Sequence, residues 1–146
     1  PISEEELGRR YRLNLTNRPF WLNNEFVFLG EIPENKSADI DDTALVHKTN
    51  EGIFIITGCS HSGIINIINY AKQVCKEGRI LGVLGGFHFL KKSEEELEEI
   101  CSLMLEAGVN PEYPLYPCHC CDLKSKIIMS KFFNVQEVCT GDVLNC

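Results

Sequence analysis

The sequence lacks a long hydrophobic run, and this absence excludes one class of protein. A helix needs about 20 consecutive apolar residues to cross a bilayer, and no stretch of the 146 residues approaches that length. The amino end, residues 1–10, is polar and does not resemble a secretion signal. We therefore expect a soluble protein with no membrane partner.

Clustered positive charge is also missing. Fourteen Lys and Arg residues face 21 Asp and Glu residues, for a net charge of -7, and adjacent basic residues occur only at Arg9–Arg10 and Lys91–Lys92. A protein that binds a phosphate backbone concentrates its positive charge on one surface. Nucleic acid is therefore not an expected partner.

Histidine is scarce, with four residues, whereas cysteine is frequent, with eight. The adjacent pair Cys120–Cys121 and the placing of Cys75 and Cys101 on apolar helix faces do not suit the disulfide framework of a secreted protein. We expect reduced thiols and a cytoplasmic location.

Residues 52–68 predict a strand that runs into a helix. Ile53–Thr57 is a continuous apolar run, typical of a strand buried on both faces of a mainly parallel sheet. From Ile64 to Cys75 the apolar residues recur at helical spacing. The turn between them carries Cys59, Ser60 and His61 at the carboxyl end of the strand, where α/β proteins bind ligands.

The same pattern occurs twice more along the chain. His88 follows a predicted strand at Arg79–Gly86 and precedes a predicted helix that Ser93 and Glu96 open as a capping box and Gly108 closes. His119 follows a shorter predicted strand at Leu115–Pro117 that leads to a helix at Leu123–Phe133. Because right-handed crossovers place the carboxyl ends of parallel strands at one edge of the sheet, we expect the three histidines to converge. The fold class predicted is α/β.

The remaining chain predicts a lead-in segment and the outer strands of one domain. Residues 1–24 form the lead-in, and residues 25–146 form the domain. Turn signals at residues 49–52 indicate a hairpin, and His47 in its first strand is expected to be an ordinary surface or edge histidine. Outside the pattern described above, the predicted strands are Glu25–Leu29, Thr43–Lys48, Val135–Val138 and Val143–Leu144.

Three histidines in one topological register, two of them beside cysteines, indicate a metal site. Imidazole and thiolate are ligands that suit zinc or iron, and a catalytic site leaves one position for a water whose pKa falls to about 7. Cys59 would lie where the helix amino end stabilises a thiolate, or else would simply fill the turn.

Cys118, Cys120 and Cys121 surround His119 and form a candidate secondary thiol cluster. In an extended segment neighbouring side chains point to opposite sides, so His119 and Cys121 would share one face and Cys118 and Cys120 the other. We therefore do not expect all four to bind one ion.

Several residues near the predicted site are candidates for substrate or anion binding. Gly85 and Gly86 permit close approach of a ligand to the backbone, or form only a tight turn. The amides at the starts of the helices, near Ser62 and Ser93, are candidates to bind a phosphate or carboxylate.

Three motifs stand out in order along the chain: Thr57-Gly58-Cys59-Ser60-His61-Ser62-Gly63-Ile64, Gly85-Gly86-Phe87-His88 and Pro117-Cys118-His119-Cys120. Together they resemble the metallo-β-lactamase superfamily, in the branch of metal-dependent hydrolases that also carries the label dihydropterin-ribofuranosylaminobenzene phosphate synthase. The resemblance covers residues 25–146 and implies one half of an αββα sandwich, a mixed sheet with helices on one face.

The resemblance also implies roles for individual residues. His119 matches the last metal-binding histidine of the superfamily, Cys59 falls where many relatives carry a metal-bridging aspartate, and His61 belongs to the branch's own motif. His88 is a candidate for substrate binding or proton transfer. The implied cofactor is a divalent metal, zinc foremost, with manganese or iron as alternatives.

One large departure from the family pattern bears on the partner. The motif His-x-His-x-Asp-His is absent, since no two of the four histidines are two residues apart, and Cys121 and Asp122 replace the family's threonine and glycine. The expected partner is an amino-terminal half that carries this motif, and the chain alone is expected to be inactive.

The leading hypothesis is a hydrolase in which metal-activated water attacks a phosphoester or a related polar small molecule. The alternatives are a zinc or iron-sulfur binding module with a redox or structural role, and a thiol oxidoreductase.

Overall fold

The computed structural model describes residues 3–33 and 42–144, and over these residues it contains four helices and one sheet of seven strands. The elements in chain order are α1 (Glu4–Gly8), β1 (Phe20–Trp21), β2 (Phe26–Phe28), β3 (Ala44–Lys48), β4 (Ile53–Thr57), α2 (Ile64–Cys75), β5 (Ile80–Gly85), α3 (Glu94–Glu106), β6 (Pro114–Pro117), α4 (Leu123–Met129) and β7 (Asn134–Val135).

The sheet is mixed, and its strand order follows the chain from β1 to β7. Strands β1 to β4 are antiparallel neighbours, whereas β4 to β7 are parallel. Because β4, β5 and β6 run in the same direction, their carboxyl ends lie at one edge of the sheet. Each of these strands leads into a loop and then a helix, so three loops meet at that edge.

One face of the sheet forms the core with the helices. Val46, Ile55 and Val83 belong to a buried cluster that includes Ile67 of α2 and Leu97 of α3. These sheet positions are apolar because each strand must bury this face, and the intervening positions point the other way.

The opposite sheet face is also apolar but is only half-buried at most positions. Its residues include Phe28, Leu45, Ile56, Leu84 and Tyr116. Phe54 on this face is buried, partly because Gly82 leaves room for its ring: a Cβ on Gly82 would lie 2.6 Å from Cε2 of Phe54.

Side-chain caps explain where two of the helices begin. Ser93 Oγ accepts the N–H of Glu96 at 3.2 Å, and Glu96 Oε2 accepts the N–H of Ser93 at 2.7 Å, which forms the predicted capping box. Asp122 caps α4 by accepting the Ser125 N–H at 2.8 Å. This residue, which departs from the family pattern, therefore has a local structural role.

The end of the chain differs from the sequence prediction. Helix α4 ends at Met129 rather than Phe133, because Lys131 and Phe132 donate to carbonyls three residues back and so tighten the chain into turns. Strand β7 is Asn134–Val135, so the predicted strand Val135–Val138 is wrong in extent. Residues 143–144 form no strand, so the strand predicted there is wrong. The short strand β1 was not predicted.

No helix within residues 3–33 and 42–144 has the length and apolar character needed to cross a membrane.

Candidate metal site

The loops after β4, β5 and β6 are joined by backbone hydrogen bonds. The Gly86 N–H donates to the Gly58 carbonyl at 2.7 Å, which ties the second loop to the first. The Cys118 N–H donates to the Gly85 carbonyl at 2.8 Å, which ties the third loop to the second. The three segments predicted to converge therefore form one rim.

Cys120 is held by this rim through both its backbone and its side chain. Its carbonyl accepts the N–H groups of Phe89 and Leu90 at 2.9 and 3.1 Å. Its Sγ accepts the His88 N–H at 3.2 Å and lies 3.1 Å from Cys59 Sγ. Two thiols 61 residues apart in the chain are thus in direct contact.

Two groups of metal-ligand side chains meet at Cys59. The first is Cys59, His61 and His88, and the second is Cys59, His119 and Cys120. Within each group the ligand atoms all lie within 4.8 Å of one another. Cys59 belongs to both groups, so its sulfur lies between them, and the three predicted histidines do share one edge of the sheet.

The two histidines of the first group are close neighbours. The rings of His61 and His88 meet edge to face with their centroids 4.9 Å apart. Nδ1 of His88 lies 3.6 Å from Cys59 Sγ. Both imidazoles are solvent-exposed, so they line the open side of the rim.

Asp42 adds a buried carboxylate that the sequence analysis missed. Its Oδ2 accepts the Ser62 N–H at 2.5 Å, and its Oδ1 lies 3.8 Å from His61 Nδ1. The second contact is longer than a hydrogen bond and places a negative charge beside the His61 ring. The signal was present in the predicted hairpin, because the residues just before β3 must lie beside the end of β4.

The thiol of Cys120 is held in its protonated form. Burial is the main cause, followed by the hydrogen bond with Cys59, and together they raise the pKa of Cys120 to about 12. A metal ion must therefore displace this proton in order to bind the sulfur.

Gly86 provides the room in which two of the ligand side chains lie. A Cβ at this position would lie 2.7 Å from Cε1 and Nε2 of His119 and 2.8 Å from Cys120 Sγ. The donors around this space are thiols and imidazoles, which suit zinc. The residues present therefore fit the metal ion that the family resemblance implies.

Unusual backbone conformations are concentrated at the same rim. Ser60, His88 and Cys120 have φ values of 60°, 56° and 53°, in the left-handed region that non-glycine residues rarely adopt. Such conformations are found preferentially at functional sites, where the surrounding structure holds them in place.

The amides proposed to bind an anion are already paired within the chain. Asp42 accepts the Ser62 N–H, and Glu96 accepts the Ser93 N–H. The backbones of Gly85 and Gly86 join the loops to each other. Of these groups, only Ser62 Oγ is buried without a hydrogen-bond partner among the described residues.

Cys118 and Cys121 do not join the ligand groups formed by the residues that the structure describes. The Cys118 thiol donates to the Tyr116 carbonyl at 3.4 Å, and Cys121 packs against the core. The left-handed backbone at Cys120 breaks the alternation expected of an extended segment. His119 and Cys120 therefore both turn toward Cys59, although neighbouring residues were expected to diverge.

A cavity of about 150 Å³ opens beside the first ligand group. His61 and His88 form part of its wall, and Ile100 and the rings of Phe87 and Phe89 supply apolar surface. Lys92 also borders it, so a ligand there would meet both apolar and positively charged groups.

Comparisons with known proteins agree with this arrangement. No sequence profile of a protein family matches the chain. An uncharacterized protein of Methanocaldococcus jannaschii is 26% identical in an alignment of length 144 that covers 90% of this chain and 54% of that protein. In the same organism, 7,8-dihydropterin-6-methyl-4-(beta-D-ribofuranosyl)-aminobenzene-5'-phosphate synthase is 25% identical over 93 residues, which cover 64% of this chain and 31% of the synthase.

A solved structure is similar over nearly the whole chain. Tm1679, described as a metal-dependent hydrolase of the β-lactamase superfamily, matches with a TM-score of 0.81 and 27% identity over 99% of this chain and 62% of its own. The chain spans 54% of the length of the uncharacterized relative and 62% of the length of Tm1679. By its fold and by its sequence, the chain is similar to a metal-dependent hydrolase of the β-lactamase superfamily and to the named synthase, in line with the resemblance of its three motifs.

Proposed function

We propose that this chain supplies one side of the active site of a metal-dependent hydrolase that acts on a phosphoester or a related polar substrate. The observation that carries the proposal is the meeting of two ligand groups at Cys59, on the edge where three parallel strands end. The description of Tm1679 as a metal-dependent hydrolase supports the reaction class.

Cys59, His61 and His119 would hold a divalent metal ion, with His61 and His119 reaching it from the two different ligand groups that share Cys59. Zinc suits these thiol and imidazole donors best, whereas manganese prefers oxygen ligands and iron accepts imidazole. When bound, such an ion is a Lewis acid that lowers the pKa of water to about 7 and polarises a substrate oxygen. Asp42 would keep the His61 ring in its metal-facing orientation through the Nδ1 contact.

His88 would bind the substrate or transfer a proton. Its ring lies against His61 and at the wall of the 150 Å³ cavity, so it can reach a molecule bound there. Imidazole is the side chain most often used for general acid-base catalysis. The left-handed backbone of His88 holds the ring at this place on the rim.

An amino-terminal half that carries the His-x-His-x-Asp-His motif would complete the site. The half-buried apolar sheet face supports this part of the proposal, because a second sheet would cover it. The greater length of the relatives supports it as well. The free thiols of Cys59 and Cys120 suit a reducing compartment, which supports a cytoplasmic location.

Turnover of a generic phosphodiester tests the proposal. The chain, combined with such an amino-terminal half, should hydrolyse bis(p-nitrophenyl) phosphate only when zinc, manganese or iron is supplied. His88→Ala should lower kcat by roughly 10²–10⁴-fold, and the exposed Cys139→Ala should change nothing. Activity without metal, or a His88→Ala variant as fast as the wild type, would contradict the proposal.

A non-enzymatic zinc or iron-sulfur module is a second candidate, favoured by the direct contact of the Cys59 and Cys120 thiols. It differs from the hydrolase in its content of iron and acid-labile sulfide. An iron-sulfur protein would contain iron and acid-labile sulfide in equal measure, whereas the hydrolase would contain a divalent metal without sulfide.

A further inference from the structure

The Cys120 side chain has different surroundings from those of the flanking cysteines. Its sulfur lies 3.1 Å from Cys59 Sγ, whereas Cys118 bonds to a carbonyl and Cys121 packs against the core. Together with His119, the two contacting thiols make a set of two sulfurs and one nitrogen, all within 4.8 Å.

We infer that Cys59, His119 and Cys120 bind a thiophilic divalent ion such as Zn²⁺, and that this chain holds the ion without ligands from an amino-terminal half. The inference deepens the proposed function and rests on it for the presence of a metal site. It adds Cys120 as a ligand and makes this half of the site rich in sulfur.

The distances suit a tetrahedral ion. With Zn–S bonds of about 2.3 Å, two sulfurs on one zinc ion lie about 3.8 Å apart, so the thiols at 3.1 Å need to separate by only about 0.7 Å. Each thiol releases its proton to solvent when its sulfur binds. Three protein ligands leave a fourth position open, as in catalytic zinc sites.

The surrounding backbone holds these ligands in place before the ion arrives. The Phe89 and Leu90 N–H groups fix the Cys120 carbonyl, and the His88 N–H donates to Cys120 Sγ. Hydrogen bonds to a thiolate stabilise its charge and orient it toward a metal. Gly86 leaves the room that His119 and Cys120 share.

X-ray absorption at the zinc edge tests the ligand set without any mutation. The reduced 146-residue chain, loaded with one equivalent of Zn²⁺ under nitrogen, should show two sulfurs at about 2.3 Å and nitrogen or oxygen at about 2.0–2.1 Å. One sulfur or none in the first shell would overturn the inference. A Cys59–Cys120 disulfide that persists after reduction would overturn it as well.

Cobalt titration of variants assigns the sulfurs to residues. Cys120→Ser should lose roughly half of the thiolate-to-cobalt absorption and bind Co²⁺ roughly 10-fold or more weakly. Cys118→Ser and Cys121→Ser, which alter the flanking cysteines, should match the wild type. Circular dichroism of each variant checks that it is folded.

The outcome also separates this inference from the proposed function. His88→Ala should leave the cobalt absorption of this chain unchanged, although His88 is needed for turnover in the proposed hydrolase. If Cys120→Ser retains the full absorption while Cys59→Ser loses it, Cys120 is not a ligand and the hydrolase proposal stands. If the thiolate bands form but no phosphoester is hydrolysed with the amino-terminal half present, the hydrolase proposal fails and the ligand set stands.

Discussion

Asp42 connects the β4 turn to the start of β3 through one buried carboxylate. Its two oxygens meet the Ser62 N–H and the His61 ring, and the residue is 7% exposed. A buried N–H that loses its acceptor destabilises the folded state. The carboxylate thus affects both the stability of the turn and the orientation of a proposed metal ligand.

Substitution of Asp42 separates its hydrogen bond from its charge. Asp42→Ala should lower the free energy of unfolding by about 1–3 kcal/mol, because Ser62 N–H loses its acceptor. Asp42→Asn keeps an acceptor oxygen and should cost clearly less. Urea unfolding followed by circular dichroism measures both, and equal stabilities for the two variants would show that the hydrogen bond is unimportant.

Gly86 can be tested by adding a single methyl group. In Gly86→Ala the new Cβ would meet His119 and Cys120 at 2.7–2.8 Å and displace them, so zinc affinity should fall roughly 10-fold or more. Gly78→Ala is the control, since nothing lies within 4 Å of its added Cβ. Competition with a chelator measures the affinity, and equal values for both variants would contradict this role of Gly86.

The sequence was sufficient to place the three histidines but not Cys120. Each histidine follows a predicted strand of the parallel set, so topology alone brings them to one edge. The direction of the Cys120 side chain depends on a φ of 53°, which nothing in the local residue pattern signals. Alternation along an extended chain was therefore the wrong rule for residues 118–121.

At the scale of elements, the strongest patterns predicted the structure best. Strands β4 and β5 are continuous apolar runs, and α3 has both a capping box and a buried stripe, so their positions were predicted to within a residue or two. Strand β1 is too short to show a period, and α4 ends in turns closed by hydrogen bonds to carbonyls three residues back. Propensity alone does not determine such boundaries.

Helix α3 carries a buried thiol that links stability to pH. The pKa of Cys101 is raised from its ordinary value near 9.0 to about 11, mainly by burial and to a smaller extent by the negative charge of Glu98. The unfolded chain releases this proton at lower pH than the folded chain does. The stability that the protonated Cys101 thiol contributes is therefore fully present below about pH 9 and is lost as the pH rises toward about 11.

The measurement is urea unfolding of the reduced protein at pH 8, 9.5 and 11. Cys101→Ala should show a smaller alkaline loss of unfolding free energy than the wild type, while the loss for Cys139→Ala, which alters an exposed cysteine, should equal that of the wild type. The account of the α3 thiol would be wrong if Cys101→Ala and the wild type lost stability in parallel.

At the scale of the whole molecule, the two faces of the sheet differ in how deeply their side chains are buried. Ile55 faces the helices and is fully buried, whereas its neighbour Ile56 lies on the half-buried face. The fold class and the mixed sheet could be predicted from strand order and the family resemblance. The burial pattern of the strands does not by itself identify a surface that packs on the second face, so the amino-terminal half follows only from the family resemblance.

Lysine substitutions at two adjacent residues, one on each face of the sheet, test the role of the half-buried face. Ile55→Lys places a charge in the core and should cost about 4 kcal/mol or more. Ile56→Lys should change the stability of this chain by about 1 kcal/mol or less, but should block association with an amino-terminal half that packs on this face. Unfolding and pull-down measurements check the two effects, and normal association of Ile56→Lys would argue against docking there.

The central claim is that three strand ends, joined by their loops, form one metal site around Cys59. Anomalous diffraction at the zinc edge, from crystals of the reduced protein grown with Zn²⁺, tests it most directly. We predict an anomalous peak within bonding distance of Cys59 Sγ, bordered by His61, His88, His119 and Cys120. A zinc peak elsewhere in the molecule, or none at this edge of the sheet, would contradict the account.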